Sequence, residues 1–83
     1  MDHLALKMLH RNARSAVHEG DIVGINNMYE HIDEYDNYQL ITLLRVTSVY
    51  KESIPLWTYT VLKAYNICKE LELNPRKELW GLI

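Results

Sequence analysis

The fold is decided by residues 36–73, which read DNYQLITLLRVTSVYKESIPLWTYTVLKAYNICKELEL. In the second half of this stretch, apolar side chains recur at steps of four, three, four and three residues, which places them along one side of a helix. They are Trp57, Val61, Ala64, Cys68 and Leu71. The first half, residues 38–50, is apolar on more than one side, as is typical of a helix with neighbours all round. The sequence therefore predicts two long helices that form the core and are joined at residues 50–55.

The part of the chain before this stretch predicts a helical hairpin. Apolar residues recur at helical spacing in residues 2–18 and again in residues 22–32. They are Leu6, Leu9, Ala13, Ala16 and Val17, followed by Ile22, Ile25, Tyr29 and Ile32. Between the two helices, Gly20 can take the left-handed conformation and Asp21 can cap the second helix. Gly24 weakens that helix by about 1 kcal/mol relative to alanine, and close packing against the first helix would explain it.

Capping and breaking residues define the later helices. Asp36 and Gln39 have the spacing of a capping box, which begins the third helix. Ser53 and Pro55 mark the beginning of the fourth helix, and Asn74-Pro75 ends it at about residue 73. Residues 75–82 predict a short final turn, and they are followed by Ile83. This tail is too apolar to be free, so we expect it to dock on its own core or on another subunit, with Trp80 as its anchor.

Residues 1–83 thus predict a single all-α domain, a small four-helix bundle of antiparallel helical hairpins with a short C-terminal helical turn. The hydrophobic share of 48% and the charged share of 24% are those of a folded domain and argue against disorder. A chain of this length buries only about 60% of its unfolded surface, so a partner or self-association could add stability. Oligomers are therefore an open outcome.

The charge and the cysteine content restrict the classes of function. Nine Lys and Arg against eleven Asp and Glu give a net charge of −2, which disfavours nucleic-acid binding. The single cysteine permits no internal disulfide and fits a reducing, cytoplasmic setting. The N-terminus lacks the pattern of a secretory signal, and no apolar run approaches the roughly 20 residues that span a bilayer. We expect a cytoplasmic protein without membrane insertion.

No motif for catalysis, a metal or a nucleotide is present. His3 and His10 could share a helix face, as could His31 and Glu34, but no His-Glu-x-x-His pattern supplies a zinc site. No serine lies in a Gly-x-Ser-x-Gly turn, and three glycines in the whole chain cannot build a phosphate loop. We therefore expect no enzyme activity, no cofactor and no bound metal.

Two charged segments allow more than one interpretation. Lys7, Arg11 and Arg14 are spaced four and three apart on the first helix and form its basic face. This face is either simply solvated or contacts an anion or an acidic partner. Residues 33–38 are the most acidic part of the chain, and a solvated helix junction explains them; an acidic surface that imitates nucleic acid is the alternative.

The aromatic residues are more informative, because the chain has six tyrosines, two tryptophans and no phenylalanine. Tyrosine and tryptophan combine apolar area with a polar tip and are enriched at interfaces. A small domain also leaves many aromatics half exposed, so both explanations stay open. The candidate partner-binding residues, which fall off the main apolar sides of the helices, are Tyr35, Tyr38, Arg45, Tyr59 and Tyr65.

By elimination, the sequence favours a non-enzymatic protein-binding module that acts stoichiometrically on another protein. Its general character is similar to small accessory proteins of bacteriophages and other mobile elements, which inhibit or redirect host proteins. A cytoplasmic antiholin is one concrete member of that class. Two alternatives remain: a nucleic-acid-binding regulator that uses the basic face of the first helix, and a structural subunit that self-assembles.

Overall fold

A computed structural model describes residues 3–71, and four α-helices lie within them. They are α1, His3–Glu19; α2, Ile22–Tyr29; α3, Asn37–Thr47; and α4, Trp57–Glu70. Short 3-10 segments at Ile32–Glu34 and Ser48–Ser53 precede α3 and α4. The predicted all-α helical bundle is confirmed. The predicted C-terminal turn and its anchor Trp80 lie outside the described residues.

The helix α3 lies between α1 and α4 and packs against both, while α2 packs against α1. The end of α4 lies beside the start of α3, because the Cys68 thiol is 3.4 Å from Asn37 Oδ1. The two helices therefore run in opposite directions. At the other end of α3, the Tyr29 and Thr47 hydroxyls meet at 2.6 Å and connect α2 to α3.

The core is built from one side of each helix. Its buried apolar members are Leu9, Ala13, Ala16, Ile25, Tyr29, Ile32, Leu40, Ile41, Leu43, Leu44, Ile54, Trp57, Val61, Ala64 and Cys68. The predicted contact sides of the helices are confirmed with three corrections. Leu6 is only partly buried and lies outside the core cluster, because it lines an open cavity between α1 and α3. Leu71 is 55% exposed because it follows the last residue of α4, beyond the core. Val49 is 72% exposed because it lies in a 3-10 segment, which breaks the spacing of α3.

The starts of α2 and α3 follow the predicted capping chemistry. The start of α4 does not: it begins at Trp57, without a side-chain cap, and not at Ser53 and Pro55, because Ser53 still belongs to the preceding 3-10 segment. Gly20 adopts φ +67°, and the Asp21 carboxylate accepts a hydrogen bond from the Gly24 amide at 2.9 Å. Asp36 and Gln39 form the predicted capping box, with both reciprocal hydrogen bonds at 2.9 Å. The reason for Gly24 differs from the predicted one. The atoms nearest to a Cβ at that position belong to the capping carboxylate of Asp21, with which it would collide, so glycine makes room for the cap.

Three helices end earlier than predicted, and one of them is α4, which ends at Glu70 and not at about residue 73. The helix α2 ends at Tyr29, and the next two amides bond three residues back, Glu30 to Asn27 and His31 to Met28, both at 3.2 Å. This 3-10 geometry tightens the last turn and still leaves Ile32 buried. The helix α3 ends at Thr47 and not at residue 50.

A chain of buried hydroxyl groups links α2 to α3. Tyr29 is 1% exposed, and its hydroxyl meets the Thr47 hydroxyl, which donates in turn to the Leu43 carbonyl at 2.7 Å. Burial is the larger influence on the Tyr29 phenol and raises its pKa to about 12, although the hydrogen bond to Thr47 acts in the opposite direction. The Thr47 bond to the carbonyl four residues back also competes with a continuing helix at the point where α3 ends.

Candidate functional site

One side of α4 faces away from the core and carries large apolar and aromatic side chains. Tyr59, Leu62 and Tyr65 follow one another at steps of three residues, and they are 54%, 58% and 38% exposed. We call these three residues the α4 outer face. Lys69 continues it, because its Nζ lies 5.7 Å from the centroid of the Tyr65 ring, within the range of a cation–π contact. A partner could therefore meet a leucine between two tyrosines.

Leu62 was missing from the residues predicted to bind a partner. The prediction selected tyrosines and arginine by their residue type, and a leucine in a helix is ordinarily assigned to the core. The spacing of the sequence could have indicated Leu62. It falls outside the series of buried α4 residues, which are Trp57, Val61, Ala64 and Cys68. An apolar residue outside the apolar series of its own helix is the pattern to look for.

A second surface lies where α1 meets α3. An open cavity of about 410 Å³ is lined by Leu6, Lys7, His10 and Thr42, and we call it the α1–α3 groove. Leu6 and Thr42 are partly buried, whereas Lys7 and His10 are exposed. The floor of the groove is therefore partly apolar, and its α1 edge is basic.

The groove connects two sets of residues that the sequence analysis treated separately. On α1, Lys7, His10 and Arg14 follow at steps of three and four along the same side of the helix. On α3, Tyr38 and Arg45 lie four residues before and three residues after Thr42 and are exposed. Of these residues Lys7, His10 and Thr42 line the groove itself, and Arg14, Tyr38 and Arg45 lie one turn further along α1 and α3.

Charge is unevenly distributed over the described residues. From residue 3 to residue 18, α1 contains Lys7, Arg11 and Arg14 and no carboxylate. The ion pairs found within residues 3–71 are Lys63–Asp33 at 3.2 Å and His31–Glu34 at 3.1 Å, and neither involves the basic face of α1. Among residues 3–71, no ion pair with a carboxylate therefore offsets the positive charge of that face.

Tyr35 differs from the other predicted partner-binding residues. It is partly buried and packs against the core at the junction before α3. Burial, assisted by the negative charge of Glu34, raises the pKa of its phenol. Tyr38, Arg45, Tyr59 and Tyr65 are exposed and distributed over α3 and α4. The structure thus separates a tyrosine with a packing role from residues that are accessible to a partner.

Metal sites and membrane-spanning helices have no candidate in the described part of the chain. Across residues 3–71, no three His, Cys, Asp or Glu side chains are grouped so that they could hold a metal ion. None of the helices from α1 to α4 has both the length and the apolar character needed to cross a bilayer. Comparisons of the chain with family models, curated proteins and solved structures found no match.

Proposed function

We propose that the protein is a non-enzymatic binding module that acts stoichiometrically by covering a surface of another protein. The observation that carries this proposal is Leu62, which is 58% exposed between two exposed tyrosines on the α4 outer face. Large apolar side chains gathered on one face favour association, because burying them removes apolar area from water. In this proposal the α4 outer face supplies the centre of the contact.

The chemistry of this face favours a protein over a small molecule. Its three side chains stand along one convex helix surface, whereas small-molecule sites are concave and enclose most of their ligand. Tyrosine is among the residues that contribute most to protein interfaces, since it buries a large ring and keeps a hydroxyl for hydrogen bonding. Tyr59 and Tyr65 would supply such rings on either side of Leu62.

The first experiment captures the partner. The tagged protein is purified from its native cell at moderate salt, and bound proteins are identified by mass spectrometry. We expect one dominant protein at near-equal stoichiometry, with about tenfold weaker capture by Leu62→Ala or Tyr59→Ala, as for residues at the centre of an interface. Val23→Ala is the matched control, because Val23 is 72% exposed on α2, away from this face. It should capture the partner normally.

Other outcomes identify the alternatives. Undiminished capture by both α4 variants would contradict the role of the α4 outer face. Recovery of the protein alone, with a mass that rises with concentration, would favour a self-assembling structural subunit. Nucleic acid that salt releases from the purified protein would favour a nucleic-acid-binding regulator.

We place this module among small regulators or inhibitors of host proteins of the kind that phages and other mobile elements encode. Support comes from the all-α fold of residues 3–71 and from the composition of the sequence, with a net charge of −2 and one cysteine. A cytoplasmic antiholin is one concrete case. In that case, expressing the chain in cells whose lysis depends on the cognate holin would delay lysis, and Leu62→Ala would shorten the delay. An unchanged lysis time would exclude the antiholin and leave the binding module to the capture experiment.

A further inference from the structure

The residues that line the α1–α3 groove would favour a negatively charged ligand. Its floor includes the partly buried side chain of Leu6, and its α1 edge holds Lys7 and His10. Arg14 lies one turn beyond His10 and two turns beyond Lys7 on the same side of α1. On α3, Arg45 lies three residues after Thr42. A ligand that fits here presents negative charge to α1 and an apolar group to Leu6.

The dimensions of the basic edge suit a short segment of polypeptide. Lys7 and Arg14 are seven residues apart, which is about 10 Å along a helix axis. A partner helix with Asp or Glu at spacings of three or four residues repeats its charges over the same distance. Two turns of such a helix would place carboxylates opposite Lys7, His10 and Arg14, while one apolar side chain would rest on Leu6.

We infer that the α1–α3 groove is a docking surface for an acidic segment of the protein partner. The inference rests on the proposed function, because it states the chemistry of one part of the partner that the module binds. Charge complementarity is the argument: α1 carries three exposed cations and no carboxylate before Glu19, and none of the three is paired with a described carboxylate. An acidic segment would gain attraction during approach and in the bound state, and both effects weaken with salt.

Nucleic acid fits the same surface less well. Binding a phosphate backbone usually draws on a basic excess over the whole domain, and this chain has a net charge of −2. Acidic residues also crowd the junction before α3, where Glu30, Asp33, Glu34 and Asp36 lie within seven residues. The partly buried Leu6 further favours a ligand with an apolar side chain over a bare phosphate backbone.

The test is a titration of the full-length, isotope-labelled protein with a synthetic helical peptide, followed by NMR. The probe carries Glu at spacings of three and four residues and one central Leu, and its control carries Gln in place of each Glu. We expect the acidic peptide to shift the amide signals of Lys7, His10 and Thr42 and to bind more weakly as salt is raised. The Gln peptide should leave those signals in place.

Matched variants separate the groove from the total charge. Lys7→Glu and Arg14→Glu should each weaken binding of the acidic peptide about fivefold or more, because each replaces an attraction by a repulsion. Lys51→Glu makes the same change of net charge at an exposed position outside the groove and should bind as the unmodified protein does. Lys7 is exposed on α1, and glutamate favours a helix about as well as lysine does, so that variant should fold.

Several results would overturn the inference. Equal losses in Lys7→Glu and Lys51→Glu would mean that only total charge matters, and shifts confined to other helices would place the peptide elsewhere. A short DNA duplex that binds the groove more tightly than the peptide would assign the surface to nucleic acid. Self-association that shifts the same signals at rising protein concentration, without peptide, would assign it to a second copy of this chain.

The capture and titration experiments together distinguish failure of this inference from failure of the proposed function. A captured partner that is lost with Leu62→Ala but retained with Lys7→Glu would leave the proposed function standing and refute the role of the groove. No captured partner, with the acidic peptide still bound in the groove, would refute the α4 proposal and leave an acidic ligand to be found.

Discussion

Leu43 and Leu62 are the same residue type in neighbouring helices, yet Leu43 is fully buried and Leu62 is 58% exposed. The difference comes from position in the bundle. The helix α3 has α1 on one side and α4 on the other, so most of its circumference is covered, whereas α4 packs mainly on α3. The comparison teaches that in so small a domain the apolar residues of the central helix are used to stabilise the fold. The outer helix has a side that the core does not cover, where an apolar residue is available for binding.

The largest expected effect is on the stability of the central helix. Leu43→Ala should lower the free energy of unfolding by about 3 kcal/mol, because it removes a fully buried side chain and leaves a cavity. Leu62→Ala should change the same quantity by no more than about 0.5 kcal/mol, as for an exposed site. Urea denaturation followed by circular dichroism measures both. Equal losses in the two variants would mean that Leu62 is covered in solution.

Tyrosines offer a second comparison of buried and exposed positions. The pKa of the buried Tyr29 is raised to about 12 in the folded protein, above the ordinary value of 10.0. The unfolded chain therefore releases this proton first, so the contribution to stability is complete below pH 10 and is lost as the pH rises toward 12. The loss should approach about 3 kcal/mol for a shift of this size.

Tyr29→Phe should remove most of that alkaline loss, with a smaller part remaining from Tyr35, whose pKa is also raised. It should also cost about 1 kcal/mol at neutral pH, because the hydrogen bond to Thr47 disappears. Tyr59→Phe, at an exposed position on α4, is the control and should retain the full alkaline loss. Denaturation curves between about pH 8 and about pH 11.5, a range that includes the ordinary tyrosine pKa, provide the measurement. Parallel curves for Tyr29→Phe and the unmodified protein would contradict the assignment.

The start of the central helix should respond to loss of its cap. Asp36→Ala removes the hydrogen bond that the Gln39 amide donates to the Asp36 carboxylate and should cost about 1 kcal/mol, whereas the backbone amide of residue 36 can still donate to the Gln39 side chain. Asp36→Asn keeps a capping oxygen and should cost much less. The thermal midpoints of the two variants give the comparison. An Asn variant as unstable as the Ala variant would mean that the charge of Asp36, and not its hydrogen bond, stabilises α3.

The smallest effect is expected for the ion pair between α4 and the junction before α3. The Lys63 and Asp33 side chains are 3.2 Å apart and 28% and 80% exposed, so water screens their attraction. A double-mutant cycle with Lys63→Ala and Asp33→Ala should give a coupling of about 0.5 kcal/mol or less, decreasing in high salt. A coupling several times larger would mean that this pair anchors α4 in place.

The sequence predicted the features that depend on neighbouring residues. Gly20, Asp21 and Asp36 act within one turn of the chain, and each has its predicted conformation or hydrogen bond. The buried side of α4 was also predictable, because its apolar residues recur at helical spacing over more than three turns. What failed was local geometry set by tertiary contacts, such as the end of α3 at Thr47, whose hydroxyl meets Tyr29 from another helix.

The candidate surfaces were predictable only in part. Tyr38, Arg45, Tyr59 and Tyr65 are exposed in accordance with their placement off the main apolar sides. That Thr42 of α3 would lie beside Lys7 and His10 of α1 depends on how two distant helices pack, and spacing within either helix holds no information about it. Leu62 was hidden for a different reason, since its residue type suggested burial.

Cys68 has a consequence for how the molecule can be observed in motion. It is the one thiol of the chain, and it is fully buried where the end of α4 lies beside Asn37. A thiol reagent can reach it only when α4 separates locally from α3. The labelling rate therefore reports how often this opening occurs. A partner seated on the α4 outer face would not cover the sulfur, yet it would lower the labelling rate by making each opening rarer. The native cysteine is thus a built-in reporter of binding on the opposite side of its own helix.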